Sequence, residues 1–460
     1  MKKNQIVNFW IEKMATLQEG VGYVDQKPVH VKGALPGQKV EVRISRNRDH
    51  HAEGKLLSVL EKSEFETSSF CNHYGECGGC SLQTLPYSAQ LEMKKDWICG
   101  LLESHLPVEV FKDIEFTGVL PSPKQLAYRN KMEFTFGNAF KGGETNLGLH
   151  KKGQFGSVIT TDHCQICDSD FMVILSAVLE FFKKRGVEHY NKFSHEGILR
   201  HLVVRKGEKT GEILVALSAA RPSAEDLSSF VDLVTGLKLQ GEIVGVLYVE
   251  NTGKADAVSG EPVVLYGRDH YYDEILGLRF RISLYSFFQT NTSGAELLYQ
   301  TAFDGLEDIR GKYIFDLFSG TGTIAQLLAQ RAKRVVGIEI VADAVEAAIA
   351  NAAENELSHC EFRAGDVLEI LDHYEGHKPD VIVVDPPRMG IAQKALEKIV
   401  AFGAPEILYI SCNPKTLAEN LSMMALAGYQ PVKVTGVDMF PHTSNCETIC
   451  WLRRRGGNEE

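Results

Sequence analysis

Two short stretches near the C-terminus carry the residue types for covalent attack on a pyrimidine. They are Ser411-Cys412-Asn413-Pro414 and, thirty-five residues beyond the cysteine, the glutamate of His442-Thr443-Ser444-Asn445-Cys446-Glu447. Uracil C5 is a weak nucleophile, but a thiolate added at C6 turns the ring into an enolate whose C5 can attack an electrophilic methyl group. A base must then take the C5 proton so that the thiol can leave. Cys412 and Glu447 are the candidates for these roles, and His442, with a pKa nearer neutrality, is the alternative proton carrier. Such chemistry needs a methyl donor, a scaffold that holds thiol and carboxylate together, and a means of holding nucleic acid.

After residue 285 the near-continuous apolar runs 313–317, 335–338, 381–384 and 407–410 alternate with helical patterns. These read as strands covered on both faces of a doubly wound, Rossmann-like α/β sheet, whose ligands bind outside the carboxyl ends of the strands. The loops after 317, 338, 384 and 410 therefore matter most. Cys412 falls in the last of them, ahead of a helix starting near Pro414, a position expected to lower its thiol pKa.

The first strand ends in Asp316-Leu317-Phe318-Ser319-Gly320-Thr321-Gly322-Thr323, and Glu339 follows Gly320 by nineteen residues. Small residues let backbone approach a ligand, and an acidic group at that distance can accept from ribose hydroxyls. This pattern fits a dinucleotide or S-adenosylmethionine equally well. The loop Asp385-Pro386-Pro387-Arg388 separates them, because it puts a carboxylate on a stiff turn that hydride transfer does not need. Asp366 could meet an adenine amino group or simply form a turn after Gly365.

Asp316 to Gly322, Asp385 to Arg388, Ser411 to Pro414 and Met439 to Glu447 together resemble the RNA 5-methyluridine methyltransferase family, and Ser286-Phe287-Phe288-Gln289-Thr290-Asn291 resembles the segment that opens its donor site. The resemblance implies that Gln289, Phe318, Glu339 and Asp385 contact S-adenosylmethionine or the target base, with Thr323 and Asp366 as additions. At Thr323 some members have Asn. It also implies that Cys412 is the nucleophile and Glu447 the base, with His442 structural.

Residues 5–60 show short β-type runs broken by glycines, the signature of a small barrel. The stretches Glu19 to Tyr23 and Val31 to Val40 and the basic run after them resemble the TRAM domain, an OB-like RNA-binding module. Ten Lys/Arg against six Asp/Glu in residues 1–60 make this end locally basic inside a chain of net charge -11. Arg43, Arg46 and Arg48 alternate as one face of a strand would, which suits RNA contact or an ordinary solvated face. The expected division is 1–61 as this barrel, 62–285 as a central α+β domain and 286–460 as the catalytic domain. Arg453 to Glu460 read as a frayed tail.

Cys71-Asn72-His73-Tyr74-Gly75-Glu76-Cys77-Gly78-Gly79-Cys80 is too dense in thiols and glycines for ordinary packing. Thiolates at this spacing can wrap one metal centre. The family resemblance implies a 4Fe-4S cluster with Cys164 as fourth ligand; Cys167 is the alternate, and zinc with His73 is the other reading. No redox role follows, because methyl transfer moves no net electrons.

The 44% apolar content fits a soluble globular chain. There is no run of 18 apolar residues and no apolar signal sequence after Met1-Lys2-Lys3, so the cytoplasm is the expected location, with no membrane and no obligate protein partner. A uracil stacked in a helix hides C5 and C6, so RNA must present it in a loop or by base flipping. Tyr128-Arg129-Asn130-Lys131 and His150-Lys151-Lys152 are candidate phosphate contacts. Among the branches of the family it resembles, a cysteine cluster with a TRAM-like domain looks more like large-subunit (23S) ribosomal RNA modification, with transfer RNA as the alternative. The rival classes are an amino-directed RNA methyltransferase and a non-enzymatic iron-sulfur RNA-binding protein.

Overall fold

The computed structural model describes residues 1–191, 194–372 and 377–455, so residues 456–460 of the expected tail lie outside the described residues. Strands β1 (Ile6–Thr16), β2 (Glu19–Val24), β3 (Lys27–Lys32), β4 (Lys39–Asn47) and β5 (Ala52–Glu61) close into a barrel in the order β1-β2-β3-β5-β4. Alternating apolar residues, among them Phe9, Ile11, Val31, Val40 and Val42, fill it. Gly22 is required where β2 crosses β1, since a Cβ there would sit 2.1 Å from the Trp10 carbonyl oxygen. The arginine stripe is only partly free for RNA. A bulge between Ile44 and Arg46 offsets the strand, and Arg46 and Arg48 both reach the Glu53 carboxylate, at 3.6 and 3.5 Å.

Beyond the cysteine-rich loop come α1 (Tyr87–His105), α2 (Val108–Lys112) and β6 (Glu115–Leu120). A central sheet follows, built from β7 (Lys131–Gly137), β8 (Asn146–Lys151), β9 (Gln154–Thr160), β10 (Leu199–Lys206), β11 (Glu212–Ala219), β12 (Glu242–Glu250) and β13 (Pro262–Gly267) in the order β13-β12-β11-β10-β7-β8-β9. Helices α3 (Ser169–Lys184) and α4 (Ala224–Thr235) cover one face through Phe171, Ile174, Phe182 and Phe230. The other face, carrying Val203, Leu214 and Leu247, shares a core with Leu298, Ile324, Leu408 and Ile449 of the C-terminal part. A hairpin, β14 (His270–Ile275) and β15 (Leu278–Ser283), follows the sheet in the chain and belongs to the same core.

The C-terminal part runs α5 (Thr292–Asp304), β16 (Tyr313–Leu317), α6 (Thr323–Ala329), β17 (Arg334–Glu339), α7 (Ala342–Glu354), β18 (Cys360–Ala364), α8 (Val367–Asp372), β19 (Val381–Val384), α9 (Gln393–Phe402), β20 (Glu406–Ser411), α10 (Pro414–Leu426), β21 (Tyr429–Val437) and β22 (Glu447–Arg454). Its sheet order is β18-β17-β16-β19-β20-β22-β21-β6. The order reverses between β16 and β19, the crevice where open α/β sheets bind ligands. Residues 87–120, although within the 62–285 stretch, belong structurally to this sheet: β6 pairs parallel with β21, and α1 packs on α10. At the tail, Arg453 and Arg454 are not frayed but end β22. Among the described residues no helix is long and apolar enough to cross a membrane.

Candidate active site

The apolar strands β16, β17, β19 and β20 run parallel, which carries their carboxyl ends to one edge. The decisive step is the return of β22, which pairs antiparallel with β20 and sets Ser411 opposite Thr448. The ladder ends there, with Cys412 and Glu447 the next residue of each segment, and the Glu447 charge acts on the Cys412 thiol, so the return of β22 closes the thirty-five-residue gap. Facing residues of an antiparallel pair lie about 4.5–5.5 Å apart at Cα.

Cys412 is half-buried and its thiol is pushed up to about 11, first by loss of water and then by the charges of Glu447 and Asp385. The expected depression by the helix N-terminus is therefore overridden. Two carboxylates facing a desolvated sulfur outweigh a helix terminus whose first N–H is already missing at Pro414 and whose Lys415 N–H is taken by the Asn413 side chain at 3.2 Å. Glu447, 5% exposed, is raised to about 8 by burial and by Asp385. Loss of water raises Asp385 itself to about 7. Arg388 opposes the shifts on both Cys412 and Glu447. Asn413 Nδ2 donates to the Arg388 carbonyl at 2.9 Å, and Asn420 bonds both the N–H and the carbonyl of Ile391, so the Asp385–Arg388 loop is tied to the Cys412 loop.

Around the reversal point the glycine-rich loop folds tightly. Phe318, Gly320 and Gly322 all take left-handed backbone angles, with φ of 65°, 53° and 77°. Glu339 accepts from Gly320 N and Val341 N, each at 3.0 Å, which leaves lone pairs for hydroxyl donors. The Thr321 hydroxyl donates to the Phe287 carbonyl at 3.0 Å and so anchors the segment bearing Gln289. Asp316 Oδ1 and Ser319 Oγ are buried without a hydrogen-bond partner, and a Cβ built on Gly320 meets nothing within 4 Å. Orphaned polar atoms below an open glycine loop fit a nucleoside-type methyl donor. Thr323 begins α6. Asp366 accepts from Leu368 N at 2.7 Å, the turn-forming role weighed for it.

Sequence reasoning missed Tyr299, a buried residue of α5 whose hydroxyl is pushed up by burial and lies within reach of the charges of Asp385, Glu447 and Asp316 and of the Gln289 side chain. It also missed the clamp on the loop before Glu447. Lys94 of α1 meets Asp438 at 2.7 Å with both side chains fully buried. Gln90 brackets His442, donating to its ring at 3.1 Å and accepting from its N–H at 2.9 Å. The His442 carbonyl accepts from Ser81 N and Leu82 N, and Gln18 of the barrel donates to Ser444 at 2.6 Å. Burial lowers the His442 pKa, which fits a bracing role. Tyr128 and Asn130 are corrected from phosphate contacts to braces: both are buried, Tyr128 donating to the Pro441 carbonyl and Asn130 to the Gln289 carbonyl.

Cys71, Cys77, Cys80 and Cys164 line one cavity of about 470 Å³ that also touches His73, Arg388 and Asn445. Among the described residues, however, no group of three or more His, Cys, Asp or Glu side chains is gathered to hold a metal ion. Cys80 is pushed up to about 12 by burial, with the other three thiols adding to the shift, a pressure that a bound cation would relieve. Cys167 is buried and its thiol turns onto the Cys164 carbonyl at 3.7 Å.

Residues 270–455 match the family described as tRNA (Uracil-5-)-methyltransferase, and residues 3–57 match the TRAM domain. A relative from Clostridium acetobutylicum, named as an uncharacterized RNA methyltransferase, is 44% identical over 99% of both chains. Another of that name, from Caldanaerobacter subterraneus, is 45% identical over 99% of this chain and 100% of its own. The crystal structure of Pyrococcus abyssi tRNA (uracil-54, C5)-methyltransferase in complex with S-adenosyl-L-homocysteine shares the fold, with a TM-score of 0.76, 23% identity and coverage of 97% of this chain and 100% of that one. The chain thus belongs to the RNA uracil-5-methyltransferase family, as an RNA methyltransferase with an N-terminal TRAM domain.

Proposed function

We propose that the protein methylates C5 of a uridine in large-subunit ribosomal RNA, with Cys412 as nucleophile and Glu447 as base. What supports this is the β20–β22 pairing, which brings Ser411 opposite Thr448 and so carries the neighbouring Cys412 and Glu447 to one end of the pair, where the charges of Glu447 and Asp385 act on the thiol. Cys412 adds to C6 as the thiolate, its proton having left to solvent, and the π pair of the C5–C6 bond moves toward the C4 carbonyl as an enolate. Bound S-adenosylmethionine supplies the electrophilic methyl that C5 takes. Glu447 then accepts the C5 proton, the double bond re-forms and Cys412 leaves as thiolate, so atoms and charge balance. Gln289, Phe318, Glu339 and Asp385 hold the donor or the target base, with Thr323 at the start of α6; Asp366 contributes through its turn. Two carboxyl groups raised toward neutrality beside a thiol in one desolvated cleft favour this covalent route over an amino-directed methyl transfer.

Transfer RNA is the competing substrate, since the similar Pyrococcus abyssi enzyme is named for uracil 54 of tRNA. Mapping 5-methyluridine in cells lacking the protein separates the two. Loss of a 5-methyluridine from large-subunit ribosomal RNA is expected, whereas loss confined to transfer RNA would reassign the substrate.

Cys71, Cys77, Cys80 and Cys164 are the residues that would hold a 4Fe-4S cluster, fixing the cysteine loop against the segment after β9. Its contribution there is structural, since the loop it ties carries the Ser81 and Leu82 amides that grip His442. Protein purified without oxygen should be brown and contain iron and acid-labile sulfide in equal amounts. A colourless protein carrying zinc would replace the cluster with a Cys/His zinc site.

A further inference from the structure

The central sheet carries a second hollow that the reaction at Cys412 does not use. It measures about 540 Å³, and its walls include Asn138, His150, Ser157, Tyr190, Asn191 and His201. Its place in the fold points toward the catalytic cleft. Along β10, Val203 enters the core shared with the catalytic part, and Arg205 donates to the carbonyls of Ser283, Leu284 and Ser286. His201 lies on the same side of that strand by its two-residue period, past the end of this contact, and faces the hollow. His150 lines both this hollow and the cavity that reaches Arg388 and Asn445. The two spaces therefore adjoin on the sheet face that meets the catalytic part.

The walls are built and polar rather than incidental. Arg200, only 4% exposed, is fixed over the Tyr190 ring at 4.6 Å by bonds to Asn251, Gly253 and Ala255, so its charge is spent internally. His201 is 2% exposed, its Nε2 makes no hydrogen bond, and that atom lies 3.5 Å from Asp256. Burial holds the His201 pKa down to about 4, so the ring is neutral at ordinary pH. Beside the charged Lys141 and Asp256, the imidazole, amide and hydroxyl groups of the walls offer both donors and acceptors to the edges of a planar heterocycle. The volume falls within the range of roughly 300–1,000 Å³ usual for small-ligand sites.

We propose that this hollow receives an unstacked nucleobase of the substrate RNA, flanking the uridine presented to Cys412. The inference rests on the RNA uracil methylation reading above. Enzymes that act on single-stranded or opened RNA gain selectivity by splaying neighbouring bases into such pockets and reading their edges.

Gly156 offers the test, because it lines the hollow with ordinary backbone angles and a Cβ built there meets nothing within 4 Å. Gly156→Trp thus fills the hollow without straining β9. The probes are a synthetic hairpin centred on the mapped uridine and a set of the same hairpin with one abasic nucleotide at each flanking position, measured by equilibrium binding without methyl donor. Wild-type protein should lose at least about tenfold in affinity at one abasic position, the scale of one base contact. Gly156→Trp should show that loss on the intact hairpin and no further loss at that position. Wild-type affinity of Gly156→Trp for the intact hairpin would overturn the proposal. So would an equal extra loss by the variant on every abasic hairpin. Failure of the methylation reading shows separately, as absence of methyl transfer and of a Cys412 adduct in the wild-type protein with the intact hairpin.

Discussion

Cys412→Ala should abolish methyl transfer, with a fall of at least about four orders of magnitude, while Glu447→Gln should trap the protein covalently on its RNA. The two substitutions stop the same sequence at different points. Without the thiol no C6 adduct forms, and C5 keeps its poor nucleophilicity. Without the carboxylate, addition and methylation still proceed, but the C5 proton stays and elimination stalls. Glu447→Gln also removes the charge that helps hold the Cys412 thiol up at about 11, so capture is favoured rather than hindered. A denaturing gel with labelled RNA reads the outcome: a slow-migrating adduct with Glu447→Gln, none with Cys412→Ala. Normal turnover by Cys412→Ala would sink the covalent mechanism, and normal turnover by Glu447→Gln would move the base elsewhere.

The pH profile of the same proteins gives an independent reading. Glu447 must be ionised to accept a proton, and in the free protein its carboxyl is raised to about 8. The wild-type kcat/KM should therefore climb as pH rises toward 8, because the ionised fraction grows. The limb belonging to Glu447 should be missing from the rate of adduct formation by Glu447→Gln, which needs only the Cys412 thiolate. A profile that falls over this range would give Glu447 the opposite, acid role.

Lys94→Met should lower stability by about 3–5 kcal/mol, the usual cost of leaving one partner of a buried ion pair uncompensated. Lys94 and Asp438 are both fully buried, and Asp438 Oδ2 has no hydrogen-bond partner that could take over from the ammonium. Urea titration followed by tryptophan fluorescence suits the question, since Trp97 on α1 and Trp451 on β22 lie in the same part of the fold as the pair. The double variant Lys94→Met, Asp438→Leu should regain much of the loss, because an apolar pair needs no counter-charge. An unchanged midpoint for Lys94→Met would show that the pair contributes nothing. The single variant should also lose activity, since Asp438 opens the loop that ends at Glu447.

The motifs legible in the sequence were those whose meaning is local. An apolar run of four to six residues flanked by a small-residue loop reads as a buried strand with a ligand loop at its end, and the strands that carry or lead into Asp316, Glu339, Asp385 and Cys412 were all visible that way. The barrel was visible through its two-residue alternation and its glycines. The direction of the Cys412 pKa shift was not, because a helix terminus shows in sequence but a desolvated carboxylate arriving from another strand does not. Tyr128 and Asn130 misled for a related reason: polar residues next to an arginine suggest a phosphate contact, until tertiary structure buries them against Pro441 and Gln289.

By itself, then, the sequence determined which chemical groups stand at the ends of which strands, since chain neighbours decide strand, turn and glycine conformation. Only the tertiary structure decided that Cys412 and Glu447 come close enough for the carboxylate to act on the thiol. That follows from the antiparallel return of β22 beside β20, and from the grip of α1, the cysteine loop and the barrel on the loop between Asp438 and Glu447. Lys94 is 344 residues from Asp438 in the chain and Gln18 is 426 from Ser444. Contacts across such separations leave no periodicity to read, because they depend on how whole layers pack rather than on the spacing of neighbours.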